Sequence, residues 1–213
     1  IRRLREVITR VADIPRPLLI LGERGTGKEL VARAVHFSRG GPSRPLVTVN
    51  CAAFNDALLE SELFGHERGA FTGADTTRLG RFREANGGTL FLDEIGNMSL
   101  AFQEEILRVV EYGTYARVGA PTERTTNVRV IAATNRDLSE MIRQGGFLHD
   151  LYDRLSFETI TVPPLRQRDG DVEVLAHYFL NQFALEIPAF RDKQLSPEAV
   201  SVLRSHRFPG NVR

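Results

Sequence analysis

Three short stretches of this 213-residue chain carry residue types suited to phosphate chemistry. The first is Gly22-Glu23-Arg24-Gly25-Thr26-Gly27-Lys28, which follows the apolar run PRPLLIL. Gly22, Gly27 and Lys28 fit a loop between a buried strand and a helix, where glycines let successive N–H groups turn inward around a polyanion. The helix that follows directs its positive end to the same place. Lys28 adds a mobile cation for β- and γ-phosphates. Residues Gly22, Glu23, Arg24, Gly25, Thr26, Gly27, Lys28, Glu29 and Leu30 therefore form the predicted nucleotide-binding segment. The general pattern continues with Ser or Thr, whose hydroxyl binds Mg²⁺, but Glu29 stands there. Magnesium must then be held by water or by a carboxylate elsewhere, with the Thr26 hydroxyl another contributor.

The second stretch, GGTLFLDEIGNM, supplies that carboxylate. Asp93 and Glu94 follow an apolar strand, at the edge where an open α/β sheet places its ligands. Asp93 suits the metal, with Glu94 beside it, and Glu94 suits the residue that polarises an attacking water. The third stretch, VRVIAATNRDL, leaves Thr134 and Asn135 at another strand end. Neutral hydrogen-bonding groups there could sense a γ-phosphate or hold the water; Asn135 could equally cap the next helix.

These groups need a sheet to position them. Apolar runs at 15–22, 46–50, 89–93, 128–134 and 157–162 read as strands covered on both faces. Helical patterns fall between them at about 27–38, 55–64, 99–112 and 137–145, which gives a three-layer α/β domain with a mainly parallel sheet. Apolar residues at 1, 4, 7, 8, 11 and 14 give the chain a first amphipathic helix rather than a signal peptide. Pro163-Pro164 ends the last strand, so a boundary near 165 is expected between an α/β unit (1–165) and a small helical one (166–213). The second unit contains a helix from Asp169 to Leu185 and another opened by Ser196-Pro197.

Bulk properties narrow the function classes. Lys plus Arg number 28 against 27 Asp plus Glu, and a sequence-independent nucleic-acid binder would show a basic excess. Cys51 is the single cysteine, which excludes an intrachain disulfide, and none of the five histidines pairs at zinc-ligand spacing. No apolar run approaches the roughly 20 residues that span a bilayer. A cytoplasmic location is the expectation.

One segment does not fit this frame. In GHERGAFTGAD a bulky aromatic, Phe71, lies among small residues with no helical or strand period. Taken in order, GERGTGKE, GAFTGA, GGTLFLDE, ATNRDL and FPGNVR closely resemble the AAA+ ATPase domain of bacterial sigma-54-dependent transcription activators, along essentially the whole chain. GAFTGA is the most specific of these motifs. The resemblance implies a ring hexamer that hydrolyses ATP, with Mg²⁺, at subunit interfaces and remodels the closed complex of sigma-54 RNA polymerase at promoter DNA. It implies that Gly69, Ala70, Phe71, Thr72, Gly73 and Ala74 form a projecting loop that contacts sigma-54, with Phe71 and Thr72 at the contact. Asn50 matches an asparagine that bonds the catalytic glutamate in one nucleotide state. Arg154 matches an arginine finger reaching into the neighbouring subunit, and Arg213 a lid arginine that senses nucleotide in cis. Relatives often carry a second arginine where this chain has Leu148, so the trans contribution is expected from Arg154 alone. Arg166 and Arg168, beside the hinge, are expected to serve the subunit interface or the connection to the lid, with a solvated arginine face as the alternative. The resemblance also places the rest of the lid, a DNA-binding domain and a regulatory domain outside these residues.

A GTPase would carry N-K-x-D, which TNRD does not match. Other AAA+ machines share the phosphate loop and the Asp-Glu pair but give no reason for GAFTGA. A scaffold without turnover has no need of Lys28, Asp93, Glu94 and Arg154 together.

Overall fold

The computed structural model describes residues 2–40 and 43–213. Two compact units emerge, the larger formed by Arg2–Gly22 and Gly27–Val162, the smaller by Glu23–Thr26 and Pro163–Arg213.

In the larger unit, α1 (Arg2–Ala12) leads into β1 (Leu18–Leu21), α2 (Lys28–Gly40), β2 (Leu46–Asn50) and α3 (Asp56–Phe64). A two-strand hairpin, β3 (Gly65–His66) and β4 (Arg78–Leu79), precedes the short α4 (Arg81–Glu84) and β5 (Thr89–Asp93). Helix α5 (Leu100–Tyr112), a second hairpin of β6 (Thr114–Ala116) and β7 (Glu123–Thr125), and β8 (Arg129–Thr134) follow. The unit closes with α6 (Leu138–Arg143), α7 (His149–Leu155) and β9 (Glu158–Thr161). All five predicted strands are present and pair in parallel in the order β2-β5-β8-β1-β9.

Strand alternation divides the core into two layers, because successive side chains point to opposite faces. Leu18, Ile20, Phe91, Ile131 and Ala133 pack with Ile8 and Val11 of α1 and Val31, Ala32 and Val35 of α2. Leu19, Val49, Leu90, Leu92, Val130 and Ala132 face Leu59 and Leu63 of α3, Phe102 and Ile106 of α5, and Leu151 and Leu155 of α7. Local chemistry sets the helix ends. Asn55 accepts from Leu58 N at 3.0 Å to cap α3, and Ser99 accepts from Phe102 N at 3.3 Å to cap α5.

In the smaller unit, α8 (Asp171–Glu186) and α9 (Pro197–Ser205) form where the apolar spacing predicted helices. Ser196 caps α9 by accepting from Ala199 N at 3.2 Å, with Pro197 at the first helical position. Among the described residues, no helix is long and apolar enough to cross a membrane.

Helix α7 and both hairpins were not legible as periodic segments. The hairpins rest on an aromatic seat instead. Phe82 is fully buried and stacks on Phe64 at 5.5 Å between centroids, with Tyr115 of β6 5.7 Å away. Phe82→Ala should lower the unfolding free energy by about 3–5 kcal/mol in a urea titration, and a loss below about 1 kcal/mol would contradict this packing.

Candidate functional site

The parallel register brings the predicted chemistry to the carboxyl ends of the strands. Asn50 pairs with Asp93 across β2 and β5, and Leu21 pairs with Thr134 across β1 and β8. The next residues in the chain, Gly22 and Glu94, lie just past the sheet. Lys28, at the start of α2, is buried and donates its Nζ to Gly22 O at 3.1 Å, closing the two ends of the glycine loop within the larger unit. The first helical ladder bond runs from Val31 N to Gly27 O, so the N–H groups of Lys28, Glu29 and Leu30 precede it. The Glu29 carboxylate turns to Arg33, 2.9 Å away, and the Leu30 side chain is exposed, so these two residues offer main-chain donors only.

Asp93 is half-buried. Burial pushes its carboxyl above the ordinary carboxylate range; the Lys28 charge opposes that shift and the neighbouring Glu94 adds to it. Its Oδ1 accepts the Glu94 N–H at 3.0 Å. Glu94 adopts the left-handed region (φ 56°, ψ 43°), uncommon for a residue with a Cβ. The Asp93 bond and the Asn97 Nδ2 bond to Glu94 O at 3.2 Å hold that conformation, which keeps the Glu94 side chain buried at the strand end. Thr134 is buried and its Oγ1 accepts from Arg136 N at 3.1 Å. Asn135 is exposed and does not cap α6; Asp137 does, accepting from Glu140 N at 3.1 Å. The capping alternative for Asn135 is thereby set aside, since the helix starts two residues later than that role requires. Asn50 spends its Oδ1 on Ala52 N at 2.9 Å, capping the turn that leads to α3.

Among the described residues, no group of three or more His, Cys, Asp or Glu side chains could hold a metal. Asp93 with Glu94 nevertheless suits magnesium, which keeps several waters and takes one or two carboxylates plus phosphate oxygens. The Thr26 hydroxyl, buried in the smaller unit, donates to Glu23 O at 2.8 Å.

In the GAFTGA loop, Gly69 N donates to Ala74 O at 2.8 Å and Ala74 N to Phe71 O at 3.0 Å. Gly69 and Gly73 both take positive φ (82° and 95°), a conformation glycine adopts at little cost. Phe71 is 42% exposed and its ring meets that of His66 at 65°, with centroids 5.0 Å apart; Thr72 is exposed. His66 is in turn held by Ser61 Oγ at 2.7 Å. Sequence reasoning missed Glu67 as the anchor of this loop. Its carboxylate takes Arg117 at 2.8 Å from the second hairpin and the Thr77 hydroxyl at 2.9 Å, and both bonds hold it below the ordinary range.

Arg154 on α7 is exposed and donates to Glu111 of α5 at 2.6 Å. Leu148, at the usual second-arginine position, is partly buried against the core, and its N–H donates to Gln103 Oε1 at 2.8 Å. That position serves packing. In the smaller unit, Arg166 binds both Glu23 carboxylate oxygens, and Arg168 donates to Thr26 O at 2.5 Å and Pro163 O at 2.8 Å. Both arginines thus serve intrachain connections. Arg213 is exposed, with its N–H to Gly210 O at 3.3 Å.

Comparison with known proteins matches residues 1–161 to the Sigma-54 interaction domain family and residues 166–213 to the AAA+ ATPase lid domain. The Nif-specific regulatory protein of Azotobacter vinelandii is 50% identical over 212 residues, covering 100% of this chain and 40% of that protein. The Psp operon transcriptional activator of Escherichia coli strain K12 is 46% identical over 208 residues, covering 98% and 64%. Crystal structures of NtrX from Brucella abortus in complex with ADP and with ATP align at TM-scores of 0.90 and 0.89 and identities of 38% and 37%. Each alignment covers 99% of this chain and 46% or 47% of NtrX. The chain therefore spans less than two thirds of the length of these relatives.

Arg166 and Asn211 depress the Glu23 carboxyl from 4.5 to about 2. A depressed carboxylate stabilises the fold above its unfolded value and loses that contribution as pH falls through its folded value. An NMR titration of the Glu23 carboxyl should therefore find its midpoint at about 2, with the loop contacts complete above 4.5. A midpoint at 4.5 would mean that the ion pair does not form in solution.

Proposed function

The chain belongs to the Sigma-54 interaction domain family of AAA+ proteins, and from that premise we propose that it binds and hydrolyses ATP and uses the cycle to remodel sigma-54 RNA polymerase. Its partners are then sigma-54, the polymerase holoenzyme and further copies of itself in a ring. One observation carries the reading: a buried Lys28 and the Asp93–Glu94 pair stand together at the carboxyl edge of a parallel sheet, the edge at which such sheets take ligands. The NtrX structures with ADP and ATP support a nucleotide as that ligand.

In this mechanism the glycine loop and the first turn of α2 cradle the phosphates, and Lys28 turns its ammonium from Gly22 O to a phosphate oxygen. Asp93 would hold magnesium, which supplies charge neutralisation when bound. Glu94 accepts the proton of the attacking water as the γ-phosphoryl leaves, and Thr134, one strand over, senses that phosphate. Arg154 supplies positive charge to the neighbouring subunit's site, so its Glu111 contact must open on assembly. Residues 166–213 act as the lid on a nucleotide domain of residues 1–165, with Arg213 sensing nucleotide in cis.

The product state reaches the loop through Asn50. Its Oδ1 caps the turn before α3, and its Nδ2 is the donor a carboxylate such as Glu94 would take. Helix α3 runs from that turn directly into β3 and the GAFTGA loop. A change in the Asn50–Glu94 relation therefore tilts the element that presents Phe71 and Thr72.

Two variants separate chemistry from coupling. Glu94→Ala should bind ATP normally and lose at least about 100-fold in turnover, since a positioned base contributes about 10²–10⁴; undiminished phosphate release would remove Glu94 from the mechanism. Thr72→Ala should keep ATP turnover and lose sigma-54 in co-sedimentation with ADP–aluminium fluoride, and retained binding would take the loop out of the contact.

A further inference from the structure

Glu23 poses a problem for the nucleotide reading, on which the following rests: a loop that must receive a polyanion carries a carboxylate near its start. The smaller unit answers it. Arg166 grips Glu23 with two bonds, NH2 to Oε1 at 2.5 Å and NH1 to Oε2 at 2.8 Å, and Asn211 Nδ2 adds a third to Oε2 at 3.2 Å. The same Asn211 Nδ2 donates to Arg24 O at 2.8 Å, while its Oδ1 accepts Leu165 N at 2.8 Å.

Asn211 is 5% exposed and sits in the left-handed region (φ 58°), where asparagine is among the better-tolerated side chains. Its short amide supplies donors and an acceptor together, a combination no carboxylate offers. Val212 N continues the grip on Gly25 O at 3.1 Å. Gly25 (φ +74°) allows this approach, because a Cβ there would fall 2.2 Å from Gly210 O. Arg168 completes the set at Thr26 O. Every residue from Glu23 to Thr26 is thus held by a side chain or main chain from 163–213.

We infer that Arg166 and Asn211 are positioning residues for nucleotide binding, which neutralise and turn aside Glu23 so that residues 23–26 meet a polyphosphate with N–H groups rather than with negative charge. The Arg166–Glu23 pair is nearly half exposed, where such pairs add little to stability. Its consequence is electrostatic and local: losing Arg166 removes the guanidinium charge that offsets the Glu23 carboxylate.

The test is a double-mutant cycle read as equilibrium binding of fluorescent ATP and ADP analogues to the whole chain. Arg166→Ala should weaken ATP by about tenfold, and ADP by less because it carries less charge. Adding Glu23→Gln to that variant should restore ATP binding to within about twofold of wild type, the coupling such a cycle isolates. Arg166→Gln serves the same purpose if alanine unfolds the segment. Unchanged binding by the arginine variants overturns the inference. So does a double variant as weak as the single one, which would mean that Arg166 touches nucleotide itself or acts only on folding. Failure of the wild-type chain to bind either analogue would instead overturn the nucleotide reading beneath it.

Discussion

The interaction on which the structure depends is the parallel pairing of β2, β5, β8 and β1. Parallel strands point the same way, so their ends accumulate on one edge, and the one-to-one register decides which residues meet there. A slip of one residue on β5 would move Asp93 away from Asn50 and exchange the two core layers, placing Leu90 and Leu92 where Phe91 now packs. The apolar cores on both faces forbid that slip. Burial that fixes the fold therefore also fixes the site's geometry. It sets the electrostatics too: Asp93 is half-withdrawn from water and remains close to Lys28, so the edge holds opposed charges in a medium that screens them poorly.

Away from the sheet, the chain uses short elements to carry position outward. Asn50 ends β2, the turn at Cys51–Ala53 follows, and α3 delivers the chain to the β3–β4 hairpin. The hairpin strands have only two residues each, too few to be stable alone. Their support comes from Phe64, Phe82 and Tyr115 beneath and from Glu67 bound to Arg117 on the second hairpin. The Glu67–Arg117 pair is partly buried and steadies the base of the loop, and under the proposed function the tip changes posture above it. In the proposed cycle Phe71, in ring contact with His66 and 42% exposed, is the part such a change would release.

The sheet and its helices were legible because doubly covered strands read as short apolar runs and their helices as amphipathic periods. The strand-end positions of Asp93, Glu94 and Thr134 were legible from the strands before them, and the helix-start position of Lys28 from the glycine loop that precedes it. Helix α7 escaped notice: only Leu151 and Leu155 are fully buried in seven residues, too few to define a period. The hairpins escaped because strands of two or three residues are too short to show an alternation. Glu67, Arg166 and Asn211 depend on contacts far apart in sequence: Arg117 lies 50 positions from Glu67 and Asn211 lies 188 from Glu23. Leu148 showed only as a departure from the family, and its packing against the core supplies the reason.

The central claim is that the state of the strand-end site is felt at the hairpin loop. Amide hydrogen exchange across residues 65–79, followed with the site empty and with ATP, ADP or ADP–aluminium fluoride bound, tests it most directly. Protection that differs between the transition-state mimic and ADP in this segment, with β5 and β8 unchanged, is the predicted result. Identical exchange of the segment in all four conditions would contradict the account.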